Sequence, residues 1–143
     1  MAITQTLCSS FKQELLQALH DFDVVGGDTF KIALYTDTAT LNASTTVYTT
    51  VGEVPASGSY TAGGGTLTKV GTSVSGTIGY TSFSDISFTA STITAFGALV
   101  YNASNGNRAV AVLNFGSEKV SVNNTFTIRF PPNNASSAII RII

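Results

Sequence analysis

The sequence predicts a mainly β fold: a single-domain antiparallel β-sandwich or jelly-roll-like structure of about eight strands, with one N-terminal α-helix. Three observations predict it. The 143 residues are 43% hydrophobic but only 10% charged, and Thr, Ser, Gly and Asn make up much of the rest. Small hydroxyl and β-branched residues suit a pleated, half-buried surface better than a helix. Past Gly27 the apolar residues alternate or fall in short runs, separated by turn residues, as in a sandwich, jelly roll or partly closed barrel. Only one segment has helical spacing. At this length a single domain, 1–143, can bury a core without metals or staples.

The helix is expected from Ser10 to about Asp23. Phe11, Leu15, Leu16, Leu19 and Phe22 fall on one face. Ser10 with Gln13 forms a capping-box pattern, and Gly26-Gly27 supplies a stop. The apolar stripe either packs on the domain's own sheet or docks on a partner, and own-sheet packing is the common way to close a core.

The strands follow in order. Phe30 to Thr36 alternates, with Phe30, Ile32 and Leu34 on one face. Residues 37–50 lack large apolar residues for the most part and are expected to be exposed. Val51 to Val54 is a short strand candidate ended by Pro55. Gly58 to Gly65 is a Gly-rich loop carrying Tyr60. Thr66 to Val74 and Ser82 to Thr89 are further strands. Ile93 to Tyr101 and Arg108 to Phe115 are continuous apolar runs, as in central strands, joined through the turn signal Asn105-Gly106. Gly116 to Lys119 is expected to be a second turn. Thr125 to Phe130 alternates until Pro131-Pro132, and Ser137 to Ile143 closes the chain.

Composition excludes several function classes. Formal net charge is -1 and the pI about 5.6. The seven basic residues (Lys12, Lys31, Lys69, Arg108, Lys119, Arg129, Arg141) never cluster, so no nucleic-acid partner is expected. No apolar run approaches the roughly 20 residues of a spanning helix, so no membrane partner is expected either. The opening Met-Ala-Ile-Thr-Gln-Thr has no basic n-region and no apolar h-region, and no signal peptide is read there. The four Asn-x-Ser/Thr sequons then follow from composition. Cys8 has no intrachain partner, which fits folding in a reducing cytoplasm.

Catalytic equipment is sparse. His20 stands beside Asp21 and Asp23, and a basic residue in a last helical turn complements the dipole; no nucleophile motif accompanies it. Cys8 reads as a small buried apolar residue. Asp21, Asp23 and Asp28 lack the spacing and terminal Glu of a calcium loop. Gly63-Gly64-Gly65 with Lys69 is not a phosphate loop. Catalytic, cofactor and metal residues are therefore expected to be none, and the chain is read as a non-enzyme. The candidate interface residues are Phe11, Leu15, Leu19, Tyr48, Tyr60 and Tyr101, since Tyr is enriched at interfaces. A charge-poor surface is expected to meet other protein, with a homo-oligomer as the usual symmetric outcome.

Longer stretches carry a resemblance. The opening Met-Ala-Ile-Thr-Gln-Thr-Leu-Cys-Ser-Ser-Phe-Lys-Gln-Glu-Leu-Leu-Gln-Ala-Leu-His-Asp-Phe resembles the start of a family of small virion structural proteins from tailed bacteriophages. Gly27 to Thr36, Tyr60 to Leu67, Gly97 to Gly116 and Ala138 to Ile143 resemble it too, so the likeness covers nearly the whole chain. It implies an accessory virion part, made in the host cytoplasm, whose partners are itself and other virion proteins: the major capsid protein or tail proteins. It carries over no catalytic or ligand residues. The function it implies is a capsid decoration or cement protein stabilising the phage head. The alternative within the class is a tail component: a fibre, adaptor or tube-associated subunit. The alternative of another class is a carbohydrate-binding host-attachment module, motivated by several Tyr near loops of a jelly-roll-like fold.

Overall fold

The computed structural model describes residues 2–143. It is mainly β, with eight strands in two antiparallel sheets and one helix. The strands are β1 (Thr6–Leu7), β2 (Phe30–Tyr35), β3 (Gly65–Thr66), β4 (Lys69–Ser75), β5 (Ile78–Phe83), β6 (Ile86–Asn102), β7 (Arg108–Ile128) and β8 (Ile140–Ile142). The larger sheet has the order β1-β7-β6-β2-β3 and the smaller one β4-β5-β8. Aromatic rings join the sheets. Phe30 of β2 stacks on Phe22 at 4.4 Å between centroids, and Phe83 of β5 lies 5.8 Å from Phe30. Around them Ile32, Leu34, Leu99, Val100 and Val110 are fully buried.

The expected central hairpin is present and longer than expected. The separate expectations for 93–101 and for the tail of 82–89 merge into β6, and those for 108–115 and 125–130 merge into β7. At the connecting turn the left-handed residues are Gly106 and Asn107, with φ of 63° and 56°, one position beyond the Asn105-Gly106 pair that the turn signal points to. Gly116 to Lys119 does not reverse the chain. The register jumps there, from Gly97 opposite Asn114 to Ala95 opposite Lys119, so the turn residues form a bulge within β7. The stretch 66–74 divides between the two sheets as β3 and β4. The 51–54 strand reduces to one bridge, Tyr35 to Glu53. The 37–50 segment is less exposed than expected, because Ala39 and Leu41 are buried and Leu41 bridges Ile3.

The helix differs most. α1 runs only from Ser9 to Leu16. Its N-cap is Cys8, without a side-chain cap, and Ser10 Oγ is buried with no partner, so the expected capping box does not form. The stop comes at Ala18, whose φ is 60°, with the Gln17 and Leu19 amides both donating to the Glu14 carbonyl. Gly26-Gly27 instead closes a loop in which the Asp28 amide donates to the Asp21 carbonyl at 2.8 Å. A side chain on Gly27 would collide with the Asp23 carbonyl. Among the described residues no helix is long and apolar enough to cross a membrane.

Candidate functional site

Two buried polar clusters hold the residue types that carry chemistry. The first grows from the helix stop. In a continuous helix Glu14 and His20, six residues apart, would diverge by about 120°. Leaving the helix at Ala18 turns His20 back, and its Nε2 meets Glu14 Oε1 at 3.0 Å. The other Glu14 oxygen accepts from Arg108 at 2.9 Å. On the far side of the ring, Asn102 Nδ2 lies 3.0 Å from His20 Nδ1. The Ser104 amide donates to Asn102 Oδ1 at 3.0 Å, which fixes the amide with its NH2 toward the histidine and toward Asp28 Oδ2. Nδ1 is then an acceptor, and the ring proton sits on Nε2, donated to Glu14. Each member is satisfied, and the His20 side chain is wholly buried. His20 is therefore a structural link between helix and hairpin, and it has left the helix whose dipole it was expected to complement.

The second cluster gathers four tyrosines around Glu53. Tyr48 and Tyr60 donate their hydroxyls to Oε1 and Oε2 at 2.6 and 2.7 Å, and the Gly63 amide donates to Oε2 at 2.8 Å. Tyr60 Oη also accepts from the Leu34 amide at 2.8 Å. Tyr101 donates to the Gly63 carbonyl, Tyr35 to the Thr49 carbonyl, and Tyr48 stacks on Tyr101 at 4.8 Å. Burial and the Glu53 charge push the Tyr101 phenol up to about 12, and burial moves Tyr35, Tyr48 and Tyr60 upward as well. Gly64 lets the loop lie against β2, since a side chain there would collide with the Ile32 carbonyl. The arrangement pins the 43–64 segment to the sheet.

The six candidate interface residues therefore divide. Tyr60 and Tyr101 are buried and offer no surface to a partner; Tyr48 is half-buried. The tyrosines do converge, but inward, because each hydroxyl finds its partner beneath the loop. Phe11 is in the core, Leu15 is partly buried against it, and Leu19 is half-buried just beyond the helix. Within the stripe it is Leu16 that faces out, 90% exposed, while Glu14 faces in. Cys8 is fully buried, and burial followed by the Glu14 charge pushes its thiol up to about 11, which keeps it inert. Among the described residues no group of three His, Cys, Asp or Glu is placed to hold a metal ion. Asp21 and Asp28 instead accept backbone amides.

The open surface has a different character. Clefts of about 380 and 340 Å³ lie along β7, sharing Phe115, Ile128 and Arg129, and neither borders His20 or Glu53. A smaller groove of about 190 Å³ is lined by Leu15, Phe22, Gly79, Ile140 and Ile142 among others, none of them charged. Val25, Val51, Val74 and Val122 are mostly exposed. The sequence points to four aromatic residues with Leu15 and Leu19 as the interface; among the described residues the exposed large apolar side chains are instead valines, Leu16 of the helix, and Ile142 and Ile143 at the end of the chain. The chain matches no protein-family model, no curated protein and no solved structure.

Proposed function

We propose that this chain is a non-enzymatic structural protein of a tailed-phage virion, a decoration or cement protein of the capsid, that binds its own copies and the major capsid protein. The resemblance of segments spread along the sequence motivates the class. One observation carries the mode of action: His20, Glu14 and Glu53 are turned inward and hydrogen-bonded, while a set of aliphatic side chains, most of them valines, is exposed. Such a surface gains by meeting other protein, since charge is depleted at the buried centre of interfaces. A compact β domain in which Ser10 Oγ is the one buried side-chain polar atom without a partner among the described residues also suits a particle that must survive outside the cell.

A tail location is the competing reading within the class. The carbohydrate-binding reading has less behind it, because Tyr60 and Tyr101, two of the tyrosines that motivate it, are buried in their own domain, and a glycan screen tests it. The test is deletion of the gene from the phage that carries it. The reading expects particles that lack the protein and release their DNA at a lower temperature, with stability restored by adding the purified chain. Particles of unchanged composition and stability would overturn it.

A further inference from the structure

The free edges of the two sheets are guarded unequally. Exposed edge strands invite pairing with another chain, and short length, charge, proline or bulges discourage it. In the larger sheet β1 and β3 are two residues each. Beyond β1, the outer side of β7 carries Glu118, Lys119 and the left-handed residues Gly116 and Asn123. In the smaller sheet β8 has three residues with Arg141 at its centre. β4 is different. It has seven residues, and the sequence holds neither charge nor proline from Val70 to Ser84.

Its guards, Lys69 at its first position and a register shift between Lys69 and Thr72, where Gly71 has φ 91°, both lie at its start. Past that shift Thr72 to Ser75 pair regularly with β5 and are exposed. Among the described residues no other backbone group bonds to their outer side. The face is also unfinished. Thr72 opposes the buried Thr81, so Val74 points to the core side of the sheet. Val74 and Ile142 flank Gly79 on one rung, yet Val74 is 72% exposed.

We infer that a second copy of the chain adds to this edge, β4 against β4 antiparallel, about a two-fold axis within Thr72–Ser75. The two small sheets then become one six-stranded sheet. A two-fold contact pairs residue i with j and j with i, so the residues nearest the axis come close to their own copies. A charged edge would repel itself there; an edge of Thr, Ser and Val does not. The pairing satisfies the outer backbone groups and joins the two apolar rungs, covering Val74. The inference rests on the assembly reading and names one contact of it.

The test is sedimentation of the full chain over a concentration series. Wild type should reach a dimer or a multiple of one. Ser73→Lys, which brings like charges together at the axis, should weaken association at least about tenfold with an unchanged melting curve. Because Cys8 is buried, Ser73→Cys should form an intermolecular disulfide on mild oxidation, whereas Ser136→Cys should not. Association that ignores Ser73→Lys, together with no Ser73→Cys cross-link, would overturn the β4 contact and leave the assembly reading standing. A chain monomeric throughout would overturn the contact, and its absence from particles would remove the assembly reading as well.

Discussion

His20 Nε2 donates to Glu14 Oε1 across 3.0 Å, joining two residues that an unbroken helix would hold on different faces. The bond explains why α1 ends after two turns. It also ties the N-terminal segment to the β6–β7 hairpin through Asn102 and Arg108. The segment thus belongs to the domain it precedes, with β1 added to the edge of β7 and Phe11 in the core.

Glu14→Ala should be costly. It strips the partner from a buried ring N–H and leaves Arg108 unpaired, a loss of about 2–4 kcal/mol. Arg108→Ala should cost under about 1 kcal/mol, because the Arg108 side chain is 44% exposed and solvent replaces much of the pair. Urea denaturation midpoints measure both. Equal losses would mean that the ion pair, not the buried histidine bond, is the important contact.

Ala18→Gly should stabilise. Ala18 holds φ 60°, a left-handed conformation that costs an L-residue roughly 1–2 kcal/mol. Glycine removes most of that cost and returns part of it through a more flexible unfolded chain. A net gain of about 0.5–1 kcal/mol is expected in the same denaturation assay. A loss would show that the helix does not end there in solution.

Tyr60→Phe and Tyr48→Phe test the Glu53 cluster. The Tyr60 hydroxyl serves two partners, the buried Leu34 N–H and the half-buried Glu53, so its removal should cost about 1–3 kcal/mol. The Tyr48 hydroxyl serves Glu53 alone from a half-buried position, and about 0.5–1.5 kcal/mol is expected. The reverse ranking in thermal melts would contradict the inward-facing arrangement.

Alkali should unfold the domain through its buried acids. Cys8 rises from 9.0 to about 11 and Tyr101 from 10.0 to about 12, each chiefly through burial. The folded state keeps both neutral, while the unfolded chain ionises them at their ordinary values. Their contribution to stability is therefore complete below about pH 9 and is lost as pH rises through 9–12. Tyrosinate absorbance and circular dichroism should change together for this cluster. Ionisation of Tyr101 well before unfolding would contradict its enclosure.

Much of this architecture was legible in the residues, and the failures have physical causes. The hairpin around Asn105-Gly106 could be read because turn chemistry and apolar runs agree locally. The bulge at Gly116 could not, since a glycine signal does not say whether the partner strand continues opposite it. The apolar stripe suggested a helix to Asp23, but Glu14 and His20 pair in the core, and a contact between side chains sets that end. The tyrosines showed no local sign of facing inward, because their partner, Glu53, lies in a loop without regular structure. The uncharged run from Val70 to Ser84 stands in the sequence, but only the sheet order shows that its first part, in β4, is a free edge.

The number of copies per particle tests the central claim most directly. Quantitative mass spectrometry of purified virions, scaled to the major capsid protein, supplies it. The account predicts a stoichiometry on the scale of the head lattice, a fixed simple ratio to the capsid subunit. A count confined to a few copies would move the protein to the tail and contradict the decoration reading. Its absence from the particles would contradict the structural role itself.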